Sequence, residues 1–382
     1  MADRTKIGIL FAYSENWIAG TYYITNLIHA LNLLHDSCKP EIIILSNGLQ
    51  DGIIKEIGYP YLRFLPIEIK YNYAERIINK LSRIIIKINS INKNYTDKDF
   101  DIVFPIREFQ YLSEIKNKLH WIPDFQERYF PDLFSESNLK RKSDYYNTIS
   151  NSGDSIIFSS ENAQKDFFKF YPKNNCKTYV LHFASNHPEY SMLDINLLKQ
   201  KYNISGDYFI SPNQFWEHKN HLVVLKAAKL LKEMNYKFTV VFTGKEYDSR
   251  NPDYFVRLKR FVSENNLQEQ VRFLGFIDRR EQLKLMNYSL AVIQPSLFEG
   301  WSTVVEDAKE MNQYVLLSDI KVHREQLNYN VSFFNPINEN ELLKKMIEVI
   351  NEKIIRIKKD YQLNVLKFGN DFMKIINEIV KK

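Results

Sequence analysis

The stretch Ile293-Gln-Pro-Ser-Leu-Phe-Glu-Gly-Trp-Ser-Thr-Val-Val-Glu-Asp-Ala-Lys combines a strand end, a loop and a helix start. Gly300 lets the backbone come close to a ligand, and the amides of Trp301, Ser302 and Thr303 at a helix start point at an anion. That pattern suits a diphosphate. Glu299 precedes the glycine, and Glu306 and Asp307 follow one or two helical turns later; carboxylates of this kind accept from the vicinal hydroxyls of a sugar or ribose. The same residues also have a plainer reading, in which Ser302 and Thr303 cap the helix and the acids are favourable first-turn charges.

A second candidate is Ser211-Pro-Asn-Gln-Phe-Trp-Glu-His-Lys-Asn-His221, directly after a strand-like run. Lys219, with Asn213 and Gln214 beside it, is placed to offset charge developing on a leaving phosphate. The alternative is a solvated loop whose Asn220 caps the helical pattern at 222–231. That alternative is preferred for His218 and His221, which have no acidic or cysteine partner at metal-ligand spacing. No HExxH or CxxC pattern occurs, and no metal is expected. In the N-terminal half, Ser14-Glu-Asn-Trp-Ile-Ala-Gly-Thr21 places Gly20 and Thr21 at a helix start. His120-Trp-Ile-Pro-Asp-Phe-Gln126 brings Asp124 towards the same cleft if two domains face each other, although an Asp after Pro is commonly a turn residue.

The elements that must position these residues alternate. Aliphatic runs at 7–11, 41–45, 102–104 and 156–158, with a helical pattern at 21–34, form one series. Runs at 208–210, 238–242, 271–274, 290–293 and 315–317 form a second, and polar, turn-rich residues around 183–206 separate the two. This is the rhythm of βαβ units, predicting two α/β domains, each with a mostly parallel sheet between helices. Such sheets bind ligands beyond the carboxyl ends of their strands, so the chemistry belongs in strand-to-helix loops.

Composition sets the outer limits. The chain has 382 residues, 45% hydrophobic and 26% charged, enough for about two domains and unlike collagen, coiled coil or a disordered chain. Glycine is scarce, 11 in all, so each glycine between a strand and a helix needs a local reason. Two cysteines cannot build a disulfide framework, and the N-terminus runs straight into a strand-like run without a signal-peptide pattern; a reducing cytoplasm is expected. No apolar run approaches the length of a spanning helix. The net charge of +6 suits phosphate-bearing ligands or an anionic membrane face, and without a nucleic-acid motif no nucleic-acid partner is expected.

At Glu299–Lys309 the sequence resembles retaining glycosyltransferases of family 4, which have the GT-B fold of two facing Rossmann-like domains. Without gaps, that family's first acid falls on Glu299 and its second on Asp307, with Glu306 one step earlier as the other candidate for the nucleotide ribose. Asn213–Asn220 occupies the place of the family's Gly-Arg-x4-Lys loop: Lys219 carries over as a diphosphate ligand, whereas Gln214 stands where the family has arginine. Gly244 resembles part of the loop after the preceding strand, and Phe276 and Ile277 lie in a stretch resembling the base-recognition loop. Only Asp124 transfers from the family's His-Asp pair. The resemblance implies domains at 1–190 on the acceptor side and 203–360 on the nucleotide-sugar side, with 361–382 as a helix crossing back. It further implies a cofactor-independent, metal-independent retaining transfer from a nucleotide-diphosphate sugar to a glycan or lipid-linked glycan, in a bacterial polysaccharide or O-antigen branch. Lys219, Glu299 and Asp124 are then the catalytic candidates, and Gly20 faces the donor sugar or acceptor. A basic aliphatic stretch at 73–92 either touches the inner membrane peripherally or packs on its own sheet. The alternatives are a sugar-nucleotide epimerase or hydrolase of the same fold, and a degenerate partner subunit.

Overall fold

The computed structural model describes residues 4–11, 13, 18–46, 48, 51–66, 99–106, 115–248, 250–352 and 354–381. The basic stretch at 73–92 and positions 14–17 of the first loop lie outside the described residues.

Thirteen strands among these residues form two sheets. The first contains β1 (Lys6–Leu10), β2 (Glu41–Ser46), β3 (Leu62–Pro66), β4 (Ile102–Ile106), β5 (Lys118–Ile122), β6 (Ser155–Phe158) and β7 (Lys177–Val180), in the order β3-β2-β1-β4-β5-β6-β7. The second contains β8 (Tyr208–Pro212), β9 (Thr239–Thr243), β10 (Val271–Phe273), β11 (Val292–Gln294), β12 (Val315–Ser318) and β13 (Val331–Phe334), in the order β10-β9-β8-β11-β12-β13. Every strand pair is parallel. Two α/β units with parallel sheets are therefore present, as the sequence pattern requires.

The aliphatic runs follow from burial on both faces. In β2, Ile42 and Ile44 join one core cluster while Ile43 and Leu45 join another on the opposite face, and all four are fully buried. The strands without a sequence signal are mostly edges. β3, β7 and β13 each end a sheet, and β7 is half-buried throughout, so nothing forces a continuous apolar run.

In each sheet the strand order reverses once, between β1 and β4 and between β8 and β11. That reversal opens a crevice at the carboxyl ends. Several contacts hold the units face to face. The helix Gln362–Val380 packs on the helix Ile18–Asn32, burying Val365, Phe368 and Phe372 in the first unit's core. Glu325, in the helix Lys321–Gln326, accepts from the Glu161 and Asn162 amides at 2.7 and 3.2 Å, at the start of the helix Glu161–Phe170 of the other unit. His182 meets the same carboxylate at 2.7 Å and stacks on Trp301, centroids 4.2 Å apart.

Candidate active site

The crevice of the second sheet opens between the end of β8 and the end of β11. Asn213, one residue past β8, donates to Gln294 Oε1 at 2.7 Å and so ties the two strand ends together. Gln294 is fully buried, and its Nε2 lies 2.8 Å from Glu299 Oε1 and 3.0 Å from Ser302 Oγ. Gln294 thus fixes the orientation of the loop that carries Glu299. Gly244, just after β9, has φ +143°, and a Cβ there would lie 2.1 Å from the Asn213 carbonyl oxygen. Only glycine allows these two loops to meet.

Lys219 donates to Glu299 Oε1 at 2.6 Å, both side chains facing the cleft and only 14% and 9% exposed. Burial raises the Glu299 carboxyl's pKa; the Lys219 ammonium, together with His323 and the hydrogen bonds from Lys219 and Ser296, more than offsets this and holds the acid below its usual range. Beside this pair, His323 bonds through Nδ1 to the Ser318 carbonyl at 2.9 Å, and burial pushes it down to about 4. His221, stacked on Phe215, is pushed down to about 3 by burial. His218 and His221 are buried, which corrects the expectation of a solvated loop. Asn220 does not cap the following helix, His221–Glu233: it lies in the left-handed region, and its Nδ2 donates to the Pro295 and Pro336 carbonyls.

A second ion pair sits at the other side of the cleft. Arg279, the first residue of the helix Arg279–Tyr288, donates to Asp307 Oδ1 at 2.5 Å, and its guanidinium lies 5.1 Å from the Tyr22 ring of the facing unit. Burial opposes ionisation of Asp307, but Arg279, helped by His187 at 3.3 Å, holds it far below the ordinary carboxylate range.

The two adjacent acids part company here. Asp307 lines the cleft, whereas Glu306 points into the junction beneath it, accepting from Lys309 at 2.8 Å, Gln326 at 2.9 Å and the Tyr361 hydroxyl at 2.5 Å. Glu306 as a donor ligand is therefore corrected: its oxygens are engaged away from the cleft.

The loop after Glu299 is also more specialised than a row of free amides. Ser302 caps the helix Thr303–Glu310 by accepting from Val305, and its own amide donates to Gln326 Oε1 at 3.1 Å. That amide is not directed at an anion. Trp301, Ser302 and Thr303 do line the cleft, with Asn213, Gln214, Gly244, Phe276 and Ile277. Gly300 has a different reason from the expected one: a Cβ there would lie 2.5 Å from the Pro123 carbonyl oxygen and 2.9 Å from Asp124 Oδ2. It admits the opposite unit. Asp124 lies in that contact, accepting from the Gln126 amide at 2.9 Å, and burial raises its carboxyl's pKa. Neither Asp124, Gly20 nor Gly300 contributes to the cleft lining, although Ile18, Ala19 and Tyr22, on either side of Gly20, do.

Sequence reasoning missed Arg279, Tyr22, Trp216 and Gln294. Arg279 lies two residues beyond Ile277 of the stretch resembling the base-recognition loop; a basic residue opening a helix after that loop was the available signal. Among the described residues no group of three His, Cys, Asp or Glu is placed to hold a metal ion.

Two facing Rossmann-like units with a cleft at the strand-order reversal define the GT-B class, and solved structures of that class match throughout. Residues 194–363 match the family model described as glycosyl transferases group 1. The chain is similar to the O-antigen chain mannosyltransferase RfbU of Salmonella typhimurium, 24% identical over 263 residues, 68% of each chain. It shares its fold with a glycosyltransferase from Rickettsia africae, TM-score 0.68 at 17% identity over 100% of both chains. Anabaena HepE, solved with UDP and glucose, matches with TM-score 0.64 at 14% identity, covering 98% of this chain and 95% of that one.

Proposed function

We propose that the protein transfers a glycosyl group, with retention at the anomeric carbon, from a nucleotide-diphosphate sugar to a hydroxyl of a glycan or lipid-linked glycan in bacterial surface polysaccharide synthesis. The observation that carries this reading is the pair of Lys219–Glu299 and Arg279–Asp307 contacts facing one cleft. Each cation is held by a carboxylate that can turn to a hydroxyl, so an entering donor exchanges both partners at once: cations to phosphate, acids to sugar and ribose. The RfbU similarity supports a glycan acceptor, and HepE's UDP and glucose support a nucleotide-sugar donor.

In the transfer, the bond from the anomeric carbon to the diphosphate breaks with its electrons going to the leaving oxygen. The acceptor oxygen bonds to the same carbon, and its proton passes to the departing diphosphate. The sugar becomes oxocarbenium-like while negative charge grows on the leaving group, so fixed cations lower the barrier. Lys219 does this at the leaving phosphate, in a cleft made less polar by Trp216, Ile277 and Trp301. Glu299 orients the sugar hydroxyls and Asp307 the ribose. Gly300 lets Asp124 approach, placing the acceptor-side wall against the transfer site. In this reading the chemistry is supplied by side chains without metal or cofactor, and a chelator is expected to leave turnover unchanged.

The test is incubation with UDP-, GDP- and dTDP-sugars, with and without a saccharide acceptor, followed by NMR of the product's anomeric configuration. An acceptor-dependent product of unchanged configuration is expected. Conversion of the donor alone into an epimer, or inverted product, refutes the reading.

A further inference from the structure

Two cations line the cleft among its described residues, Lys219 and Arg279, and two carboxylates face them, Glu299 and Asp307. The lining is charge-balanced before any ligand enters. A nucleotide diphosphate brings two phosphates, and the loop after β8 offers one cation for them, because Gln214, which also lines the cleft, is neutral. The second cation has to come from another element.

Arg279 is placed to be that cation. It projects from the start of the helix Arg279–Tyr288, and its side chain is 20% exposed, enough to meet a ligand and little enough for its charge to act through a poorly screened medium. A guanidinium carries five N–H donors in a fixed fork suited to phosphate oxygens. Among the described residues one hydrogen bond engages it, from Nη2 to Asp307 Oδ1, and its far face lies over Tyr22. His187 approaches the same Oδ1, so Oδ2 is the oxygen left for a hydroxyl. The fork is held between two units by one carboxylate oxygen and one ring, with donors to spare.

We propose that Arg279 is the second diphosphate-binding cation, taking the phosphate next to the ribose while Lys219 takes the phosphate that leaves from the sugar. Asp307 then has two tasks, steering the guanidinium through Oδ1 and meeting a ribose hydroxyl through Oδ2. This rests on the nucleotide-sugar reading above. It assigns the work of the loop after β8 to two elements, which also makes the clamp sensitive to domain approach, since Tyr22 belongs to the facing unit.

Calorimetric titration of wild type, R279Q, R279K and Q214R/R279Q decides it, using UDP, GDP and dTDP with uridine, guanosine and thymidine as uncharged controls. For whichever diphosphate binds the wild type, R279Q is expected to lose tenfold or more in affinity, with the matching nucleoside unchanged. R279K recovers part of the loss, and Q214R/R279Q at least tenfold. Equal losses for nucleoside and diphosphate mean that Arg279 acts only by supporting Asp307, and overturn the proposal. So do an unchanged diphosphate affinity in R279Q, and no recovery when charge is returned at position 214. Failure of the wild type to bind any of the three diphosphates refutes instead the donor reading on which the proposal stands.

Discussion

Gly300 of one unit faces the Pro123 carbonyl of the other so closely that a single added carbon would lie 2.5 Å from that oxygen. The glycine is a spacing element between domains. In Gly300→Val, transfer is expected to fall at least a hundredfold while nucleotide diphosphate still binds, because the proposed ligands for it, Lys219 and Arg279, lie in the second unit. Turnover and calorimetric titration on the same sample check this; parallel loss of binding and turnover would instead assign Gly300 to the phosphates.

Lys219→Ala and Glu299→Ala should each lower kcat by about 10²–10³-fold, the scale of losing one fixed electrostatic partner. The side chains touch at 2.6 Å, so their effects are coupled. The double variant is therefore expected to fall far short of the product of the two single losses. A multiplicative double variant, measured by kcat on folded protein, excludes the shared role.

Asp307→Asn and Glu306→Gln should differ in donor binding. Asp307→Asn should raise the donor KM tenfold or more, besides the stability lost when Arg279 is left without its counter-ion. Glu306→Gln leaves Lys309 buried without its counter-ion and should cost about 3 kcal/mol in denaturant unfolding, with donor KM within a factor of about two. The reverse pattern would exchange the roles of the two acids.

Glu310 sits behind the cleft, receiving the His187 amide at 3.1 Å, and burial raises its carboxyl's pKa to about 8 from an ordinary 4.5. The native state thus holds this proton more tightly than the unfolded chain. Its contribution to stability is complete below about pH 4.5 and is lost as pH rises through 8. Glu310→Gln mimics the protonated form, so it should match wild type near pH 5 and exceed it at pH 9. Their difference should grow by at most about 1.4 kcal/mol per pH unit in between. Unfolding curves at the two pH values test the sign.

The strand-to-helix rhythm made the two parallel sheets legible, because strands buried on both faces must be apolar almost throughout. Edge strands escaped, since the solvent-facing half of β7 carries no such demand. Lys219 and Glu299 were singled out by type and loop position, and the structure brings them into contact across eighty residues of chain. The choice between Glu306 and Asp307 was not legible: neighbouring helix residues point about 100° apart, and which direction meets the cleft depends on how the helix packs. Gly300 pointed to a close approach, but only the fold reveals that the visitor is Pro123. Arg279 lay outside every motif considered, its importance created by Asp307 and Tyr22, which are remote in sequence.

The reach of Glu325 to the Glu161 and Asn162 amides has a consequence for observing the protein at work. Those two N–H groups start a helix in one unit, yet their acceptor belongs to the other, so they lose it whenever the units part. Their hydrogen-exchange rates are a built-in clock of cleft opening, readable by mass spectrometry without any label. Donor-induced slowing at 161 and 162, set against unchanged exchange in the middle of the same helix, would measure how long the cleft stays shut in each catalytic cycle.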